Sequence, residues 1–434
     1  MAAEAGSYRA GFARVPVTPP VGSRLAGQFE ERLATAVHDE LFARALVLGD
    51  GHTEAALVSC DVLALKPSTV AAARALVEAA TGIPEARCHF FATHTHTGPY
   101  VTDVLARRAD PEAVSALPAR LADAVRAAHG RLQPATLTTV SAALHATYNR
   151  RFVMRDGRVV MHAPPGHPDV VCNEGPADPQ VQAVVARDAE GRWLGGLVNW
   201  ACHPVTVGGE RVVSADFPGA MEAFLRRAVD PEFVGLFANG ACGDLCPFDW
   251  HHPERPTSGF PHVARLGVAL GAAVVQAVVL APDAPVRRLR AARRVLAVPR
   301  RPAEDAARTD GEEHSARQRE VYAADRARLD LERAASPRLD VEVSALTAGD
   351  ALLLFNPAEL FCQLGLQIKS AVTGLRPLVI ELADGCVGYV PTEQAFAGGG
   401  YETRLCRSSQ LAPQAGRMIV EACVDMAREL GAAG

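Results

Sequence analysis

Phe90-Phe91-Ala92-Thr93-His94-Thr95-His96-Thr97-Gly98-Pro99 is an apolar run that ends in a His-x-His pair and then meets a Gly-Pro turn. The run reads as a buried strand. In a strand, positions i and i+2 point to one face, so His94 and His96 project together from its C-terminal end. Neutral imidazoles presented this way are good zinc ligands. Histidines also end strands simply by hydrogen bonding, so the pair alone does not establish a metal.

Two further strand exits carry matching chemistry. Gly196-Leu197-Val198-Asn199-Trp200-Ala201-Cys202-His203-Pro204 delivers a histidine, and the proline stops the ladder. Leu352-Leu353-Leu354-Phe355-Asn356-Pro357-Ala358-Glu359 delivers a carboxylate. Two histidines and a glutamate, with one position left for water, form a catalytic zinc set. Other apolar runs bounded by turn residues are Ala43–Leu48, Ala55–Cys60, Phe233–Ala238 and Leu378–Leu382. Helical patterns lie between them at Ser68–Ala80, Pro111–His129, Pro218–Ala228 and Val263–Leu280, and a last one at Pro413–Leu430. This alternation predicts an α/β or mixed α+β fold: layered sheets covered by helices, with the metal site at strand C-terminal ends. No internal repeat is apparent in the sequence.

Composition sets limits on function. Of 434 residues, 49% are hydrophobic and 21% charged, with a net charge of -5, so a large core is expected and no basic nucleic-acid surface. Met1–Ala10 lacks the pattern of a secretory signal. Leu266–Pro282 is Ala/Val-rich and reads as a buried helix, so no integral membrane segment is expected. Ten cysteines without CxxC pairing read as reduced thiols in a cytoplasm. Arg300–Pro337 is dense in Arg, Glu, Asp and Ala and reads as a solvated helix or helical hairpin inserted between strands. A lid over the site is the second reading of that segment. Oligomeric state is not legible.

The chain resembles the catalytic N-terminal domain of the neutral/alkaline non-lysosomal ceramidases. The resemblance rests on ordered patches over nearly the whole chain. They are Ala10–Val15, Val37-His38-Asp39-Glu40-Leu41, the Thr-His-Thr-His-Thr-Gly-Pro element, Asn149-Arg150, Cys202-His203-Pro204, Ser214–Gly219, Asn239–Pro247, Asn356–Glu359, Gly388–Thr392 and Gly400-Tyr401-Glu402. It implies one Zn2+ ion held by His94, His203, Glu359 and Tyr389, with His96 facing the substrate and the metal-bound water; for the base that moves that water's proton, His96 is the first candidate. It further implies that Arg150 contacts substrate polar groups beside Asn149, and that His38 lines the same cavity. Asp216 and Asp244 are candidates to orient an imidazole, or else plain caps of a turn or helix.

The activity implied is hydrolysis of an amide (N-acyl) bond by zinc-activated water, with Tyr389 or His96 stabilising the oxyanion. Two departures point away from ceramide itself. Cys246 stands where the family has a serine, and no C-terminal β-sandwich domain is expected, so residues 1–434 read as a single catalytic domain. With aromatics at 6%, a small soluble N-acyl compound is the expected substrate. The alternatives are an acyltransferase or cyclase with Cys246 as acyl carrier, and a catalytically degenerate metal-binding relative.

Overall fold

The computed structural model describes residues 8–164, 166–252, 254–255, 257–308 and 315–431. The start of the N-terminal segment read above, and positions 309–314 of the charged segment, lie outside the described residues. Eight strands form the larger sheet: β1 (Tyr8–Pro16), β2 (Phe42–Gly49), β3 (Glu54–Cys60), β4 (Cys88–Ala92), β5 (Gln133–Ala143), β6 (Gln180–Arg187), β7 (Trp193–Trp200) and β8 (Val234–Asn239). Their spatial order is β8-β7-β6-β5-β1-β2-β3-β4. Pairing is antiparallel except at the two edges, where β3 runs parallel to β4 and β7 to β8. A second sheet has the order β9 (Ala291–Pro299), β10 (Arg338–Ala348), β11 (Ala351–Phe355), β12 (Arg376–Ile380), and again its last pair is parallel.

The longer helices among the described residues are α1 (Pro67–Thr81), α2 (Pro111–His129), α3 (Asp216–Ala228), α4 (Gly259–Val279), α5 (Ala316–Ala335), α6 (Cys362–Ala371) and α7 (Ala415–Gly431). One order of elements therefore occurs three times: an antiparallel pair, a third strand, a helix, a parallel fourth strand and a closing helix. It runs β1-β2-β3-α1-β4-α2, then β5-β6-β7-α3-β8-α4, then β9-β10-β11-α6-β12-α7. Each parallel pair needs a crossover of a dozen or more residues, which α1, α3 and α6 supply. The repetition is structural, and the sequence analysis did not see it.

The layers follow from strand alternation. Leu57, Phe91, Leu197, Leu236, Leu353 and Phe355 belong to one core between the two sheets. Their neighbours Val58 and Phe90 face a second core with residues of α1 and α2. Val198 and Phe237 pack with α3 and α4, and Leu352 and Leu354 with α6 and α7. The result is four layers, helix–sheet–sheet–helix. Asn199 ties the sheets together, its Nδ2 donating to the carbonyls of Ala238 and Val379, each at 2.9 Å. The expected α/β character and the strand-exit location of the histidines both hold.

α4 is long and apolar enough to cross a membrane by length and composition alone. The sequence reads as a buried helix there, and the structure buries it along one face. One face, with Val263, Leu266, Leu270, Val274 and Val278, is buried, while Val268, Val279 and Leu280 are exposed. α5 lies inside the charged segment. Ser315 opens it with a capping box closed by Gln318, and Val321, Asp325 and Leu329 make its single buried stripe at i, i+4 spacing.

Candidate metal centre and its cavity

His94 follows β4 directly and sits at φ 70°, a left-handed conformation that a non-glycine residue adopts only when its surroundings hold it there. The held state turns its ring inward. Nδ1 lies 2.6 Å from the Leu63 carbonyl and Nε2 lies 2.9 Å from His203 Nε2. His203, three residues past β7, places Nδ1 3.3 Å from the Cys242 carbonyl. The Cys242 thiol is turned to Glu381 Oε1 at 3.0 Å, so the proton between His203 and Cys242 belongs to Nδ1. His96 sets Nδ1 2.9 Å from the Gly27 carbonyl.

All three imidazoles are therefore Nδ1–H tautomers, as assigned from the hydrogen-bond network. Each leaves a bare Nε2 lone pair, and His96 Nε2 is buried without a partner. The three residues bring ligand atoms within 4.8 Å of one another. Burial, and then the neighbouring His94, push His96 and His203 well below the ordinary imidazole pKa, so both stay neutral. Glu359 Oε2 joins them, 3.5 Å from His94 Nε2 and 3.9 Å from His203 Nε2, with no hydrogen-bond partner of its own. Lone pairs crowded on one point in a dry site repel; a divalent cation resolves the repulsion, and the residues present fit one. Imidazole nitrogens with a single carboxylate suit zinc.

Glu359 and Tyr389 sit side by side, because Ala358–Leu360 pairs in parallel with Gly388–Val390 and sets Glu359 opposite Tyr389. Burial, then the Glu359 charge, raise the Tyr389 phenol well above its usual pKa, so it stays protonated. Arg150 Nη2 donates to Tyr389 Oη at 3.2 Å and to the Gly243 carbonyl at 2.8 Å, while Nε donates to Glu402 Oε1 at 2.8 Å. A Cβ on Gly243 would lie 2.4 Å from the Glu359 carbonyl oxygen, so only glycine permits this close approach.

The remaining residues singled out in the sequence lie around this centre in other roles. Asn149 donates to Asp244 Oδ2 at 2.8 Å and accepts from the Arg151 amide at 3.0 Å. Asp244 also accepts the Cys362 amide at 2.7 Å, so the pair knits loops together. Asp216 accepts the amides of Phe217 and Val207, at 2.7 and 3.2 Å. Burial pushes both acids up to about 6. Of the two roles considered, these bonds are the capping one; the imidazoles are oriented by the carbonyls of Leu63, Gly27 and Cys242. His38 is half exposed, paired with Asp39 at 2.7 Å and stacked on Phe260 at 3.7 Å. It reaches the centre only indirectly: Asp39 accepts from the Ser214 hydroxyl, and the Ser214 carbonyl accepts from Thr95 and Thr97 on the His-x-His loop.

Sequence reasoning missed several supports. Glu381 accepts the amides of Leu360 and Cys242, at 2.9 and 3.1 Å, joining the loops that carry Glu359 and the partner of His203. Its signal was an acid inside the apolar run Leu378–Leu382, where the strand in fact stops at Ile380. Arg32 is buried and donates to four carbonyls, those of Gly208, Glu210, Ala26 and His96. Gly27, at φ +91°, would carry a Cβ 2.5 Å from His96 Nδ1. Gly27→Ala is therefore expected to displace His96 and lower turnover by about a hundredfold, the lower end of what a positioned acid–base group contributes. Steady-state kinetics with zinc content measured in parallel will check this.

A cavity of about 250 Å³ opens beside the cluster, with His94 and Glu359 in its wall. Leu63, Val104 and Val387 supply apolar surface, and Lys66, Asp103 and Arg407 supply charge.

Fold and cluster together define a layered α/β protein with a candidate metal centre at its strand exits. Two solved structures share this architecture. One is the crystal structure of neutral ceramidase from Pseudomonas aeruginosa, with TM-score 0.77, 20% identity, and coverage of 99% of this chain and 75% of that one. The other is a ceramidase complexed with C2, with TM-score 0.75, 20% identity, and coverage of 98% and 75%. The chain has the neutral ceramidase fold. No family model and no curated protein matches the sequence.

Proposed function

We propose that this chain is a zinc-dependent amidohydrolase that cleaves the N-acyl bond of a small substrate. The observation that carries the reading is the convergence of three Nδ1-anchored imidazoles and an unpaired carboxylate oxygen beside a cavity. His94, His203 and Glu359 would hold the ion, with Tyr389 next to Glu359 as a further oxygen. When bound, zinc supplies Lewis acidity and lowers the pKa of a water from about 15.7 to about 7.

The protein's own groups do the rest. His96 Nε2, free of other bonds, takes the attacking water's proton and returns it to the leaving amine. Tyr389, kept protonated, donates to the oxygen that gains charge, and Arg150 holds that phenol in place. Losing one such donor typically costs about 3 kcal/mol, roughly a hundredfold in rate. Zinc-loaded protein with a panel of short N-acyl amines, scored by amine release, tests the reading. Amine release that vanishes with chelation supports it; zinc-replete protein releasing none from the panel rejects it.

Cys246 bears on the acyl-transfer alternative. Its Sγ is buried and points at the Phe248 carbonyl at 3.8 Å, and burial pushes the thiol up to about 11. A protonated thiol is a poor nucleophile. Cys246→Ala is expected to keep kcat/KM within about threefold of the parent, under 1 kcal/mol. A thioester on Cys246 trapped by mass spectrometry would favour acyl transfer.

A further inference from the structure

The charged segment around α5, which the mechanism does not use, forms part of the cavity. Asp325, in the buried stripe of α5, lines it, and Asp325 Oδ2 accepts the amide of Arg407, another wall residue, at 2.8 Å. Glu332, further along the same helix, pairs with Arg407 Nε at 2.9 Å. At the base of the segment, Arg301 donates to the Thr403 carbonyl at 2.6 Å. An aromatic series then runs inward. Tyr322 of α5 packs edge-on against Phe29 at 5.5 Å, Phe29 against Tyr401 at 6.2 Å, and Tyr401 against Tyr389 at 5.6 Å.

The place of α5 in the repeat points the same way. It occupies the connection between the first two strands of its unit. The corresponding connections of the other units carry Gly27 and Arg32, between β1 and β2, and Arg150, between β5 and β6. The first two connections reach the candidate centre, and the third reaches the cavity beside it.

From these contacts we infer that α5 is a substrate-size filter: it closes the cavity around a compact, polar N-acyl compound and excludes long alkyl chains. The cavity is compact, about 250 Å³, and α5 stands in its wall through Asp325. The lining adds chemical preference, since Lys66, Asp103 and Arg407 offer charge to polar groups and lose hydration against an alkyl chain.

The inference rests on the hydrolase reading for its kinetic test, so a binding test stands beside it. Two substrate series separate the halves of the amide: N-acyl glycines with acetyl, butanoyl or dodecanoyl groups, and N-acetyl amines with methyl, butyl or dodecyl groups. In zinc-loaded wild type, kcat/KM is expected to fall at least about a hundredfold from the shortest to the longest member of at least one series, as a pocket that rejects added methylenes allows. In a variant with residues 303–335 replaced by a Gly-Ser linker, the long-to-short ratio in that series should rise at least about tenfold. The double variant Tyr322→Ala/Asp325→Ala should move the ratio the same way if the excised chain does not fold. Calorimetry with butanoate against dodecanoate, and butylamine against dodecylamine, reads the filter without catalysis. Dodecyl members handled and bound as well as the short ones in both series would overturn the filter and leave the hydrolase standing. Zinc-replete protein that cleaves nothing, yet binds only the short ligands, would sink the hydrolase and keep the filter.

Discussion

His203→Ala is expected to yield a folded protein with almost no bound zinc and with hydrolysis reduced at least a thousandfold. The substitution removes one of two Nε2 atoms that face each other at 2.9 Å, together with the ring that Cys242 orients. Lewis-acid stabilisation is worth several kcal/mol and each ~1.4 kcal/mol is tenfold, so about a thousandfold is the lower bound. His94→Ala should match it. Atomic absorption on dialysed protein, with circular dichroism to confirm the fold, makes the comparison. Full zinc content in either variant would remove that residue from the ligand set.

The second large effect is on stability. Glu402 is 0% exposed and lies between two guanidiniums: Arg150 Nε at 2.8 Å on one oxygen, Arg151 Nη1 at 2.6 Å on the other. Glu402→Ala would leave the buried Arg150 with only the neutral Gly243 carbonyl and Tyr389 phenol, while Arg151 keeps Glu174; breaking such a buried pair typically costs about 3–5 kcal/mol. Chemical denaturation should show that loss, with reduced activity as Arg150 leaves Tyr389. Acid should act in the same direction. Burial pushes the Glu402 carboxyl up, but Arg150 and Arg151 outweigh it and bring its pKa below the ordinary glutamate value. A group with a depressed folded pKa contributes its stability above the unfolded pKa and loses it as pH falls through the folded one. The difference between parent and Glu402→Ala should therefore be full at neutral pH and shrink below about pH 4. A gap independent of pH would show that Glu402 acts by packing and not by charge.

The cluster was largely legible in the sequence because its residues stand at the ends of uninterrupted apolar strands. His94 after β4, His203 after β7 and Glu359 after β11 each carry that signature. Helices with clear periodicity were placed closely too, α2 at its observed bounds, Pro111–His129. Strands whose alternation is diluted by polar residues were not read. β5 is QPATLTTVSAA, and β9 is AARRVLAVP with most residues exposed or half-exposed. The carbonyls that fix the imidazoles left no trace, since every residue has one and only the fold selects Leu63, Gly27 and Cys242. Glu402 was quoted within a family-like patch but given no role, because its partners lie some 250 positions away.

The threefold plan of the fold has a thermodynamic consequence. His94 and His96 come from the first unit, His203 from the second, Glu359 from the third, so no unit alone carries the whole cluster. On the metal reading proposed above, affinity would depend on how the units dock, and a bound ion would act as a clasp: at a hundred times its dissociation constant it would add about 2.7 kcal/mol to the assembled state. Chelation should loosen the joints between units before it melts any one of them, and amide exchange would register that order.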